Sequence, residues 1–434
     1  MRCGRISFLA ALTMAPAVAL GQLDFTYETV LADGMWNNPT SIAVDSAGVI
    51  HMAYMRQFDT DSPSKEIWYA NNAGGEWTFE RITDNAVREE FPCLTLDAAE
   101  NVHISFHTGT TTSNKIRYTN NISGSFFEAI DITGSGFVIV EHAVDSKGTV
   151  HFAFQNQLSG SSITDVFYTT WSQAGGVGPL VNLTNTPADR ELAADLAVGP
   201  DDVVHIVFRG GGIISGPVTY LNNAGGSFAP VPTGVTNAED PQLGVDANGK
   251  VTIVYDVNDT LFLIESNGVG GFTPATTLTT PGAYRPAFID KIAIDADNRR
   301  HVAWVSNVNN EGAFVITETA DGFSAPIPIE DDPATSKVGT SIAVNDSGKL
   351  AITYQFGYVV DSIVQADIHL VTAQIGGCPG DLDGDLVVGL TDLSIQLSNF
   401  GSLDATAEDG DLDGDGDVDL TDLSIMLGLF GSGC

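Results

Sequence analysis

The residues best suited to chemistry lie in two short Asp-rich stretches near the C-terminus. Calcium takes about six to eight oxygens. A twelve-residue loop supplies them from positions 1, 3, 5, 7, 9 and 12, with Gly at position 6 for the sharp turn. Counted from Asp411, positions 1, 3, 5, 9 and 12 are Asp411, Asp413, Asp415, Asp419 and Asp422. Position 7, Asp417, offers its carbonyl, and position 6 is Gly416. The earlier stretch supplies Asp381, Asp383, Asp385, the Val387 carbonyl and Asp392. It departs twice: Leu386 stands at position 6, and Gly389 leaves position 9 to water, so a weaker or more strained site is expected there. Asp381–Ser402 and Asp411–Ser432 agree at 16 of 22 positions. A single Asp run reads as a solvated acidic face; two copies at ligand spacing predict two bound calcium ions.

Each loop must be held by the element behind it. After the second loop, Leu420, Leu423, Leu427 and Phe430 recur at helical spacing, the pattern of an amphipathic helix. Paired twelve-residue loops, Asp at position 12 and one helix after each loop resemble a type I dockerin, from Asp381 to about Gly431. That resemblance implies calcium-dependent binding to a cohesin-type module on another protein. It places the recognition residues at Leu390, Thr391, Leu420 and Thr421. Both copies agree there, so two docking modes related by a two-fold axis are expected. Cys378 and Cys434 bracket the module. An exported protein can keep a disulfide, and these two are expected to pair.

The preceding 350 or so residues are dominated by self-similarity. A short apolar strand, a turn residue and a second strand with His and an aromatic recur seven times. The turn residues are Asp45, Asp97, Asp145, Gly199, Asp246, Asp295 and Asn345, spaced 47 to 54 apart. Third strands follow, as at Ile67–Ala70 and Ile116–Thr119. A Gly-rich turn then leads to a fourth strand, as at Trp77–Ile82. Alternating apolar residues broken by Gly, Asn and Asp turns predict antiparallel strands. Four strands, seven times over, predict a β-propeller. The seventh copy stops after its third strand, and a spare fourth-type strand lies at Phe25–Val30. The reading is all-β: a seven-bladed β-propeller closed by the N-terminal strand, followed by a small α-helical calcium-binding module.

The repeated unit resembles a group of secreted bacterial propellers, loosely sialidase-like, over about 350 residues. The resemblance implies the fold and leaves activity open, because such folds host many functions. The sialidase Asp-box, Ser-x-Asp-x-Gly-x-Thr-Trp, is absent from every copy, and Tyr284, Arg285 and Pro286 match that family's arginine motif only faintly.

Five copies place His at one position: His51, His103, His151, His205 and His301. A repeated structural hydrogen bond accounts for them better than a metal cluster, since equivalent positions are a blade apart. Ligand contacts are expected where the repeat varies, on the rim formed by loops entering each first strand and leaving each second strand. Arg56, Arg88, Glu90, His107, Arg190, Glu191, Arg209, Asp240 and Arg285 map there. Five of the nine Arg after residue 21 fall in that set. They either bind carboxylate or sulfate groups, for which Arg is suited, or pair with the rim's own acids.

The net charge of −37 argues against nucleic acid, which needs a basic stripe. Arg2 and Arg5 followed by the apolar run Ile6–Leu20 and a small-residue cleavage site read as a secretory signal over residues 1–21. No later run is long enough to span a membrane. The expected layout is signal 1–21, propeller 22–376 and docking module 377–434, secreted or attached at a cell surface. Cys93 sits in an apolar strand pattern and reads as a buried free thiol. Two functions fit. One is an exported protein that binds or processes extracellular polysaccharide, acidic glycan favoured. As a lyase it would use a base such as His107, and as a hydrolase a carboxylate pair such as Glu90 and Glu191. The other is a non-catalytic scaffold for protein partners.

Overall fold

The computed structural model describes residues 23, 25–57, 65–110, 113–156, 164–186, 190–211, 215–280, 286–306, 312–319, 322–330, 337–360, 363–375, 380–383, 388–403, 405–406, 409–413 and 416–431. The chain divides into two compact bodies, the larger spanning Phe25–Gly376 and the smaller containing Gly377–Cys434.

The larger body is all-β. Seven repeats follow one another, each an antiparallel set of three main strands with a short fourth. The first strands are Trp36–Val44, Arg88–Leu96, Phe137–Val144, Leu192–Val198, Glu239–Val245, Pro286–Ile294 and Lys337–Val344. The second strands run from Ile50–Gln57 in repeat 1 to Lys349–Val360 in repeat 7, and their residues are largely buried on both faces. In repeat 1, Ile50, Met52, Ala53, Tyr54 and Met55 are all buried.

The core lies between neighbouring repeats. Ala53, Met55, Ile67 and Tyr69 of repeat 1 pack on Leu94, Val102, Ile104 and Phe106 of repeat 2. Each fully buried Leu, Ile or Phe contributes about 1.5–3 kcal/mol. Side-chain latches cross between repeats at the turns: the Ser46 N–H donates to Glu100 Oε1 at 2.8 Å, Ser146 N–H to Asp202 Oδ1 at 2.8 Å, and Ala247 N–H to Asn298 Oδ1 at 3.0 Å.

The N-terminal strand Thr26–Leu31 pairs antiparallel with the last strand, Ile363–Gln374, so it supplies the fourth strand of repeat 7. Trp36 of repeat 1 also pairs in parallel with Ala366 of repeat 7. Each first strand lies against the first strand of the next repeat, and that of repeat 7 lies against that of repeat 1. The neighbour relation closes on itself, while the described strands form six separate hydrogen-bonded sheets.

The smaller body holds two helices, α1 (Leu390–Ser398) and α2 (Leu420–Leu429). Among the described residues no helix is long and apolar enough to cross a membrane. Cys93 is a buried free thiol whose Sγ donates to Glu141 Oε2 at 3.2 Å. Cys378 and Cys434 lie outside the described residues.

Candidate functional site

The repeated histidines are structural. His51, His103, His151 and His205 each place Nδ1 2.6 Å from the hydroxyl of Tyr69, Tyr118, Tyr168 or Tyr220. Nε2 of the first three faces Asp45, Asp97 or Asp145 at 3.3–3.4 Å. The carboxylate accepts from Nε2–H, so the tyrosine hydroxyl donates to Nδ1. His301 repeats the pattern with Asp295 at 3.2 Å and the Thr317 hydroxyl at 3.3 Å. Gly199 takes the place of the Asp in repeat 4, and there the buried Nε2 of His205 meets no partner among the described residues. Burial lowers His205 to about 4, with Asp201 opposing.

At the opposite end of the second strands, one register position recurs. It joins Glu90 to His107, Val138 to Gln155, Leu192 to Arg209 and Glu239 to Asp256. Just beyond it, every first strand carries a β-bulge. A bulge re-aims a side chain and increases the local twist. Phe91, Ile139 and Asp240 stand at the bulge with φ of 53°, 51° and 36°. Phe91 and Asp240 precede Pro92 and Pro241, which lack the N–H a regular ladder would use. Sequence reasoning named Asp240 but missed the bulges, and with them the exposed Phe91 and Ile139. An X-Pro dipeptide after charged residues signals the bulge at Phe91 and Asp240, and nothing in the sequence signals it at Ile139.

Repeat 2 is saturated. Glu90 is 3% exposed and accepts from Lys65 Nζ at 2.5 Å and from the Arg88 guanidinium, with His107 Nε2 at 3.4 Å. Burial pushes its carboxyl up, but the bonds from His107, Arg88 and Lys65 prevail and hold it far below the usual range. The Ile139 N–H donates to His107 Nδ1 at 3.5 Å, so the ring proton sits on Nε2, toward Glu90. Both nitrogens of the candidate base are engaged. In repeat 1, Arg56 pairs with Asp33 and stands 5.0 Å over the Trp68 ring. Asp33 also accepts from Asn37 Nδ2 at 2.9 Å.

Repeats 4 and 5 differ. Glu191 is buried and accepts from the Thr186 hydroxyl at 2.6 Å, whereas Glu90 is held by Lys65, Arg88 and His107, so the two carboxylates belong to separate networks. Arg190 forms no ion pair among the described residues, and its buried Nε meets no acceptor. It acts electrostatically on Arg209, whose pKa burial lowers while Asp240 and Glu239 oppose. Asp256 is 6% exposed, and its buried Oδ2 has no partner among the described residues. Burial first, then the Glu239, Asp259 and Asp240 carboxylates, raise it to about 7 against one backbone bond from Asp259. Arg285 lies outside the described residues.

In the smaller body, carboxylate oxygens of Asp381, Asp383 and Asp392 lie within 4.8 Å of one another, as do those of Asp411, Asp413 and Asp422, and those of Asp417, Asp419 and Asp422. Asp385, Val387 and Asp415 lie outside the described residues. The two loops share one scaffold. Asp392 accepts from the N–H groups of Leu382, Asp383 and Gly389 at 2.6–3.0 Å. Asp422 accepts from those of Leu412, Asp413 and Asp419 at 2.7–3.2 Å. Asp419 also caps α2, accepting from the Thr421 N–H at 2.6 Å, where α1 has Gly389 without a side chain. The loops interlock reciprocally: Gly401 N–H donates to Val418 O at 2.8 Å, and Gly431 N–H to Val388 O at 2.7 Å. A cluster of hard oxygens on a fixed backbone suits a divalent cation such as calcium.

Each helix turns one set of its apolar residues outward. Leu390 and Leu420 are 74% and 72% exposed, and Leu397, Phe400, Leu427 and Phe430 are also exposed. The buried helix residues are Asp392 and Gln396, and Asp422 and Met426. Of the four residues at helical spacing, Leu420, Leu427 and Phe430 therefore mark a surface stripe, while Leu423 is half-buried. Leu390–Thr391 and Leu420–Thr421 begin matching stripes.

No family model and no curated protein matches this chain. Solved structures do. The polysaccharide lyase Uly1 matches with a TM-score of 0.53 and 11% identity, over 77% of this chain and 89% of that one. A protein of unknown function from Dyadobacter fermentans matches at 0.49 and 10%, over 80% and 98%. The α-L-arabinanase of Penicillium chrysogenum matches at 0.46 and 11%, over 80% and 97%. At such identity the likeness to the lyase establishes the fold alone: an all-β chain of propeller-like architecture.

Proposed function

We propose that this is an exported seven-bladed propeller that binds or processes extracellular polysaccharide and is positioned by a calcium-dependent docking module. The duplicated C-terminal scaffold carries the reading. Two oxygen clusters on matching backbones support two calcium ions, and each loop opens a helix with a matching exposed apolar stripe. Apolar side chains of this size in a repeated surface pattern mark a protein partner, and a cohesin-type module is the partner the dockerin resemblance implies. Calcium supplies the charge that lets each Asp cluster hold its shape. Residues at Leu390, Thr391, Leu420 and Thr421 make the contact. The glycan half rests on the variable rim, where Arg190 has no acidic partner among the described residues, and on a fold shared with a polysaccharide lyase.

Calorimetry with calcium tests the module. Two sites are expected, the loop from Asp411 the tighter. No binding would refute the module, and two equal sites would refute the asymmetry. Leu390→Asp together with Leu420→Asp should abolish cohesin capture while calcium uptake persists. A scaffold role for protein partners is the rival reading, favoured by the pairing of Arg56 with Asp33 and of Arg88 with Glu90. Glycan arrays separate the two.

A further inference from the structure

We propose that the Glu239–Asp256 pair on the rim of repeat 5 is a hydrolytic carboxylate pair, with Asp256 giving a proton to the glycosidic oxygen and Glu239 activating the water. This rests on the glycan reading above and commits it to one reaction.

The two acids face each other across adjacent strands, at the register position that repeat 2 fills with Glu90 and His107. Side chains directly opposite on an antiparallel pair lie with Cβ atoms about 4.5–5.5 Å apart. Asp256 is buried at the strand end with an Oδ2 that no described group satisfies. A buried polar atom without a partner costs about 1–3 kcal/mol, so the Asp256 oxygen calls for a water, an ion or a ligand group to meet it. Glu239 and Asp240 of the first strand and Asp259 of its own turn face Asp256, and each disfavours its charged form. A carboxyl surrounded in this way keeps its proton near neutral pH, the condition for a general acid. Asp240 is held at a φ of 36° before Pro241, a strained conformation of the kind found beside reactive groups. Arg209 stands on the neighbouring second strand, in the field of Glu239 and Asp240, and Arg190 stands beside it. Those guanidinium groups suit the carboxylate of an adjoining uronate.

The step balances. The Asp256 proton passes to the glycosidic oxygen as its bond to the sugar carbon breaks. Water oxygen bonds that carbon, and Glu239 takes the released proton. One water is consumed, two hydroxyls form, and the proton returns from Glu239 to Asp256 through solvent.

The full chain is assayed on pectate, alginate and arabinan for binding, for new reducing ends and for unsaturated products. Wild type should release reducing ends without unsaturation, and its rate should fall as pH rises through about 7. Asp256→Asn and Glu239→Gln should each lower turnover on the order of 100-fold or more, with binding retained within about threefold and near-ultraviolet circular dichroism unchanged. Full turnover by Asp256→Asn, unsaturated products, or binding with no cleavage of any substrate would each overturn the carboxylate pair while leaving the glycan reading standing. Absence of binding to every glycan tested would overturn that reading itself.

Discussion

Repeats 2 and 5 are built on one pattern and differ at both ends. At the turn end, repeat 2 has Asp97, His103 and Tyr118 in one hydrogen-bonded line. Repeat 5 has Thr252 in the place of the His and the buried Leu263 in the place of the Tyr. Both partners changed together, which is the near-neutral way to dismantle a buried polar contact. At the rim end, the exchange went only halfway. Glu90 has Lys65, Arg88 and His107 around it, whereas Asp256 has acidic neighbours and, among the described residues, no cation bonded to it. A half-satisfied polar network costs more than a full one or none. Departures of that kind concentrate where a protein works.

Four measurements can break this comparison. Glu90→Gln should have the largest effect: it leaves cations facing a buried amide, and urea unfolding should show a loss of about 3 kcal/mol. An unchanged midpoint would mean that repeat 2 is no more satisfied than repeat 5. Asp256→Asn should act in the opposite sense. A carboxyl at about 7 when folded and 3.8 when unfolded contributes no penalty below pH 4. It accumulates one between pH 4 and 7 as the unfolded chain releases its proton first. The variant should therefore be more stable at pH 8, by on the order of 2 kcal/mol, with the gain gone at pH 4. A gain independent of pH would remove the electrostatic account. Tyr118→Phe should cost about 1 kcal/mol by orphaning the buried His103, while Leu263→Met should stay well below that; equal losses would erase the contrast at the turn end. Smallest of all, Phe91→Gly and Asp240→Gly should each shift thermal stability by under about 1 kcal/mol, because relief of left-handed strain offsets the added chain entropy.

Much of this architecture is legible in the sequence, for a physical reason. Each repeat buries its second strand on both faces, so the same apolar and turn residues must recur at each copy, and Phe25–Val30 stands out because it matches a fourth strand with no third strand before it. The histidines were readable as structural hydrogen-bonding groups because equivalent positions lie a blade apart, though the Tyr partner on the next strand is visible only in the fold. The rim was readable as a place and not as a circuit. That Arg56 finds Asp33, and that Lys65 of the preceding repeat joins Arg88 on Glu90, depends on how separate segments approach one another, which nothing in composition fixes. The Asp spacing of the C-terminal loops specified their carboxylate clusters, yet helical periodicity alone could not say which side of α2 is covered.

The strand Thr26–Leu31 has a consequence for how the chain comes to be folded. Thr29 lies opposite His369, 340 residues away, whereas nearly every other strand finds its partner within one repeat. Local pairings form early, and contacts of great sequence separation form late because the intervening loop must close first. Repeats can therefore assemble in order, but repeat 7 gains its fourth strand only when Thr26–Leu31 meets Ile363–Gln374. Until that moment the outer edge of repeat 7 is an open template for a strand of any other molecule. Moving Thr26–Leu31 to follow Gln374 would keep the same contact and make it local, turning the slowest event of assembly into an ordinary hairpin.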